Sequence, residues 1–142
     1  MGLPSQGFKD LLVAKGFTFG GQADWAIYIG VQPVNPNRVI VITDSGGRTP
    51  DPRWLLEYPS VQVSVRGGPS DYQAAALKCK EIRQILLGLP SQDLNGDHWV
   101  SVLMAGDFAF VGFDATRQPE FVGNFNLIIE PAKGVNDNRD PL

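Results

Sequence analysis

Cysteine occurs once in the chain, at Cys79, and histidine once, at His98. A lone thiol forms no internal disulfide, and one cysteine with one histidine cannot close a structural zinc site. Folding must come from ordinary packing. No apolar run approaches the ~18 residues that span a bilayer, and Met1 to Ser5 lack the charged start and apolar core of a signal peptide. No membrane partner is expected, and synthesis in the cytoplasm is. The 12 Lys and Arg are outnumbered by 15 Asp and Glu, for a net charge of −3, and they are scattered. The clustered positive stripe that neutralises phosphates is missing, which disfavours direct nucleic-acid binding.

What is present fits one domain: 142 residues, 43% of them hydrophobic, supply a single continuous core. Sixteen glycines and 11 prolines favour many turns over a helical bundle. Pro4 to Gly16 reads as a first helix, with Phe8, Leu11 and Leu12 at helical spacing and Gly16 as its stop. Trp25 to Val31 alternates as a strand with one buried face. Val39 to Thr43 is a second strand, apolar at consecutive positions, so that both faces are covered or one meets another subunit. Asp44 to Pro59 reads as a long loop, because glycine and proline punctuate it densely. Val61, Val63 and Val65 mark a third strand. Ser70-Asp-Tyr-Gln73 has the form of a capping box opening a second helix, whose apolar face runs from Tyr72 through Ala75, Cys79, Ile82 and Leu86. After a polar loop from Ser91 to His98, the segments Trp99–Met104, Phe108–Phe113 and Phe121–Glu130 are read as an antiparallel meander, with turns at Ala105–Asp107 and Asp114–Pro119. The expected fold is α+β: a mixed, largely antiparallel sheet of about six strands with two main helices on one face. Residues 1–131 form that single domain. Residues 132–142 have almost nothing to bury and are expected to be extended or disordered in the isolated subunit.

Catalytic and metal-binding readings are weak. Asp93-Leu-Asn-Gly-Asp97 starts like a calcium loop, but the glycine comes too early and Met104 stands where the bidentate glutamate belongs. Thr43-Asp-Ser-Gly-Gly-Arg48 lacks the Gly-Lys-Ser/Thr ending of a phosphate loop. His98 would need a nucleophile and an orienting acid, and nothing in the sequence locates them; a small hydrolase built on His98 with Asp97, Asp107 or Asp114 has no supporting motif. Asp107 and Asp114 are better read as turn residues. Cys79 falls on the apolar face of its helix and reads as a small core residue. No cofactor and no enzymatic activity are expected. Arg53-Trp54-Leu-Leu56 is different, because a loop carrying a tryptophan and two leucines folds onto the core or meets a partner. Trp and Arg are enriched at interface hot spots, which makes Arg48, Arg53, Trp54 and Tyr58 candidate contact residues.

The block Pro-x-Trp-Leu-Leu-x-Tyr-Pro-x-Val-Gln-Val-x-Val-Arg-Gly at Pro52 to Gly67 resembles the minor capsid and tail-terminator proteins of long-tailed bacteriophages. So do the helix around Ala74 to Leu89 and the stretch from Gly112-x-Asp114 through Pro-Glu-Phe to Asn-Phe-x-Leu-Ile-Ile-Glu-Pro, ending at Pro131. The resemblance implies an α+β subunit and a structural role in the virion tail or neck. It implies a homohexameric ring on the last ring of the tail tube, which stops tube growth and meets the head-completion or connector proteins. DNA would pass through the lumen unread, as suits an acidic chain. Arg117 and Asn124, within the second matching stretch, join the candidate interface residues. The reading from another class is a monomeric ligand-binding module, in which the Asp44 to Pro59 loop covers a pocket on the sheet.

Overall fold

The computed structural model describes residues 2–142. Two helices and a curled mixed sheet alternate along the chain: α1 (Pro4–Val13), β1 (Ala26–Ile29), β2 (Val39–Arg48), β3 (Tyr58–Arg66), α2 (Tyr72–Leu86), β4 (Gln92–Leu94), β5 (Asp97–Met104), β6 (Ala109–Phe113) and β7 (Pro119–Glu130). The α+β expectation holds. The strand order is β1-β2-β3-β7-β5-β4, with β6 also paired to β7. Among the described strands only the β1–β2 pair is parallel.

One face of the sheet is the core. Register places Ile40 beside Val65, Ile42 beside Val63, and Val61 beside Phe125, so their side chains form rows on a common face. Both helices pack there, Phe8 and Leu12 from α1 and Ala75, Cys79, Ile82 and Leu86 from α2, all buried. Phe8 is held between Phe125, edge-on at 5.2 Å, and Trp99 at 6.0 Å. Burying each such large apolar side chain is worth about 1.5–3 kcal/mol. The first turn of α1 is fixed from across the fold: the Asp44 carboxylate accepts from the Ser5 amide at 2.9 Å and from the Ser5 hydroxyl at 2.6 Å. A carboxylate at a helix N-terminus satisfies free amides and complements the helix dipole.

The opposite face is covered at one end only. Arg66, on that face, is buried and donates to the carbonyls of Val34, Pro36 and Asn37, which ties the 30–38 connection across the sheet. Val39 to Ile42 are therefore covered on both faces within one chain. Past that point the face is open, with Asn124, Asn126 and Leu103 exposed.

Several expected boundaries are corrected. Asp44 to Arg48 is not loop: β2 continues through it after an irregularity between Asp44 and Gly47. Gly47, at φ +103°, makes this pairing feasible, because a side chain there would overlap the Tyr58 carbonyl. The capping box does not form. Ser70 adopts φ +59°, Asp71 occupies the N-cap, and its carboxylate is drawn to Arg38 Nε at 2.7 Å instead of to the helix amides. The Ser91–His98 loop is a hairpin, β4 to β5, turning on Asn95-Gly96 with both residues at positive φ.

The meander is corrected as well. Ala105–Asp107 is no hairpin turn, since β5 and β6 run end to end along the same edge of β7: Met104 pairs with Phe125, the Ala105 amide donates to the Asn124 carbonyl, and Ala109 pairs with Val122. The intervening residues bulge outward from one long hairpin. The other edge of β7 pairs with β3.

Candidate assembly surfaces

The open sheet face gathers three of the expected contact residues. The Arg48 guanidinium lies 4.3 Å over the Tyr58 ring, an arrangement that desolvates both while leaving them on the surface. They line a groove of about 350 Å³ with Leu103, Asn126 and Ile128. Ser60 Oγ donates to Asn126 Oδ1 at 2.8 Å, and Asn124 follows on the same face opposite Gln62. The open part of β3 and β7 is thus an uncharged row of hydroxyls and amides beside an apolar and cationic rim.

Arg53 and Trp54 form a second surface. Asp51 organises it: one carboxylate oxygen accepts from both the Arg53 and Trp54 amides at 2.8 Å, and these bonds hold the Asp51 carboxyl below its ordinary value of 3.8. The Arg53 guanidinium sits 4.8 Å over the Trp54 ring. Leu55 turns inward and is buried, while Trp54 is half-buried beneath the exposed Arg53, so the loop folds onto the core and leaves part of its aromatic at the surface. Residues 132–142 run back past this loop. The Leu55 amide donates to the Asp140 carbonyl at 2.8 Å and the Asp140 amide to the Arg53 carbonyl at 3.0 Å. Arg139 donates to Glu57 at 2.9 Å and to the Asp51 carbonyl at 3.2 Å.

Arg117 lies apart from the others, in the turn between β6 and β7. The Asp114 carboxylate builds that turn by accepting from the amides of Gln118 and Thr116 and from the Thr116 hydroxyl, which lowers its pKa. Beside Arg117 is an aromatic cluster that the sequence reading missed. Tyr72 and Phe110 meet at 5.1 Å, Phe110 and Phe113 at 5.2 Å, and the three rings are 45%, 40% and 54% exposed. Tyr72 was expected in the core, and only Phe121 behind it is buried. The signal was available in β6 itself, since Ala109-Phe-Val-Gly-Phe113 has no polar residue with which to face water.

The residues weighed for chemistry are engaged in structural contacts. His98 Nδ1 lies 2.9 Å from Asp93, while Asp97 is buried and accepts from the Ala132 amide at 3.0 Å. Asp107 pairs with Arg83 and accepts from the Phe108 amide. Among the described residues no His, Cys, Asp or Glu side chains converge as a metal site. Cys79 is buried, and burial with the nearby Asp107 charge pushes its thiol up to about 12.

The helix-backed sheet thus leaves three surfaces available for contact: its open face, the strapped Arg53–Trp54 loop and the exposed aromatic cluster. The family model described as Bacteriophage tail terminator protein matches residues 14–131, and the chain belongs to that family. It is a structural protein of a bacteriophage tail. Comparison with curated proteins gives no match.

Proposed function

We propose that the chain assembles as a homohexameric ring on the last ring of the tail tube. There it stops tube polymerisation and joins the tail to the head-completion or connector proteins of the neck. Function resides in non-covalent interfaces, and DNA crosses the lumen without being bound in a sequence-specific way. The observation that carries this reading is the open half of the sheet. One face is fully packed by α1 and α2, while the other leaves Arg48, Tyr58, Leu103, Asn124 and Asn126 at the surface. Stacked Arg and Tyr beside apolar side chains is the composition of an interface centre. The net charge of −3 suits a passage that does not retain the duplex.

The test is the solution mass by light scattering over a range of concentrations, alone and with purified tail tubes of the phage. A mass about six times the 15.5 kDa of the chain, or a stoichiometric cap on tube ends that halts their growth, is expected. A monomer that neither binds tube ends nor blocks elongation overturns the reading.

A further inference from the structure

The longest strand separates two unlike surfaces. At the start of β7 lies the exposed aromatic cluster of Tyr72, Phe110 and Phe113. Arg117 closes that end over a hollow of about 440 Å³ shared with Ser70 and Phe113, and its guanidinium has no ion-pair partner among the described residues. At the far end of β7 a groove of about 320 Å³ is floored by Leu55, Pro131, Ala132 and Pro141 and edged by Asp93, His98, Glu130 and Lys133, whose ammonium is held by Asp140 and the Arg139 carbonyl. Neither acid pairs with a lysine or arginine: Asp93 meets only His98, and Glu130 accepts only from the Leu142 amide. The 12 residues of β7 set these surfaces roughly 35 Å apart.

We infer that the Tyr72–Phe110–Phe113 cluster of one subunit docks into the Leu55–Pro131–Ala132 groove of a second copy, with Arg117 placed against Asp93 and Glu130. The inference rests on the ring reading and deepens it by naming the two surfaces that close the ring. Three observations choose this occupant. The cluster is apolar and carries an unpaired cation, while the groove carries apolar side chains and two carboxylates without a lysine or arginine partner, its own Lys133 being taken up by Asp140 and the Arg139 carbonyl, so the surfaces complement each other in both respects. They lie at opposite ends of the molecule, as a head-to-tail contact requires, and such contacts form rings where the rotation closes. A cluster-to-cluster contact would instead bring two Arg117 side chains together, which like-charge repulsion opposes. Exposed aromatics of this size also need a partner, because contiguous apolar surface is costly in water.

Cysteine cross-linking tests the pairing. Cys79 is buried, so Ala115→Cys, in the Arg117 turn, and Ala132→Cys, in the groove, supply the only accessible thiols. The two variants are mixed and oxidised, both free and bound to purified tail tubes, and the parent's mass is measured in parallel. The expected result is a covalent dimer of twice 15.5 kDa from the mixture and none from either variant alone, with Arg117→Glu abolishing it. Rings without a cross-link in the mixture overturn the pairing and leave the ring reading standing. Cross-linking of Ala115→Cys with itself overturns it in favour of a cluster-to-cluster contact. A parent that remains monomeric alone and on tubes overturns both.

Discussion

Phe108 lies directly over Gly123: a methyl group on the Gly123 Cα would come within 2.8 Å of the Phe108 ring. The bulge between β5 and β6 exists to turn this ring back toward the core, where it meets Phe125 edge-on at 6.0 Å. Gly123 is thus selected by a close approach and not by a turn. Gly123→Ala is expected to cost about 1–3 kcal/mol by overpacking, read from urea unfolding. Phe108→Ala in the same background should recover part of that loss, since the clash then has no second partner. A neutral Gly123→Ala would show that the bulge moves freely.

Trp54 is half-buried in a loop whose backbone is held by Asp51 and by the C-terminal segment. Trp54→Ala is expected to leave the fold intact, at a cost of about 1 kcal/mol, while lowering ring formation. Thermal melting and light scattering on the same sample separate the two effects. Normal assembly, or an unfolded variant, would remove Trp54 from the proposed interface.

Truncation after Pro131 removes two backbone hydrogen bonds between Asp140 and the Arg53–Leu55 stretch, together with the Arg139–Glu57 pair. These contacts are polar and partly exposed, but losing the Ala132 amide also takes a donor from the buried Asp97 carboxylate, so the expected loss is about 2–4 kcal/mol. Arg139→Ala should reproduce part of it. Deuterium exchange at the Leu55 amide should rise in both variants.

Asp51 and Asp114 both hold carboxyls below 3.8, each chiefly through backbone amide donors. A depressed folded pKa stabilises the native state above the unfolded pKa and loses that contribution as pH falls through the folded one. Melting temperature is therefore expected to decline as pH drops below about 3.8, with both groups contributing. Asp51→Asn and Asp114→Asn should each flatten that decline while lowering stability at pH 7. An unchanged acid profile in both variants would contradict the assignment.

Period-two and helical spacing identified both helices and most strands, because Val61, Val63 and Val65 or Ala75, Cys79 and Ile82 face one core and carry that fact in their order. The β4–β5 hairpin was equally written, in Asn95-Gly96, but its first strand, Gln92-Asp93-Leu94, is short and mostly polar and reads as part of a polar loop. Two features were not legible locally. The continuation of β2 through Gly46-Gly47 depends on pairing with Tyr58 and Pro59, so punctuation that ordinarily breaks a strand here allows a bulge. The diversion of Asp71 from capping to Arg38 depends on a residue 33 positions away. Of the candidate contact residues, Arg48, Tyr58 and Asn124 share one face, Arg53 and Trp54 another, and Arg117 a third. Tyr72, Phe110 and Phe113 escaped notice because aromatic positions in a helix or strand read as core until the free side of β6 is seen.

The end-to-end arrangement of β5 and β6 along one side of β7, with β3 along the other, also fixes how the subunit bears load. A pull along β7 that is resisted through β3 or through β5 and β6 acts across ladder bonds that lie perpendicular to the strand. Those bonds share the tension simultaneously and fail in shear, not one after another as in an unzipping hairpin. A subunit gripped at its two ends therefore has its stiffest axis along the line joining them.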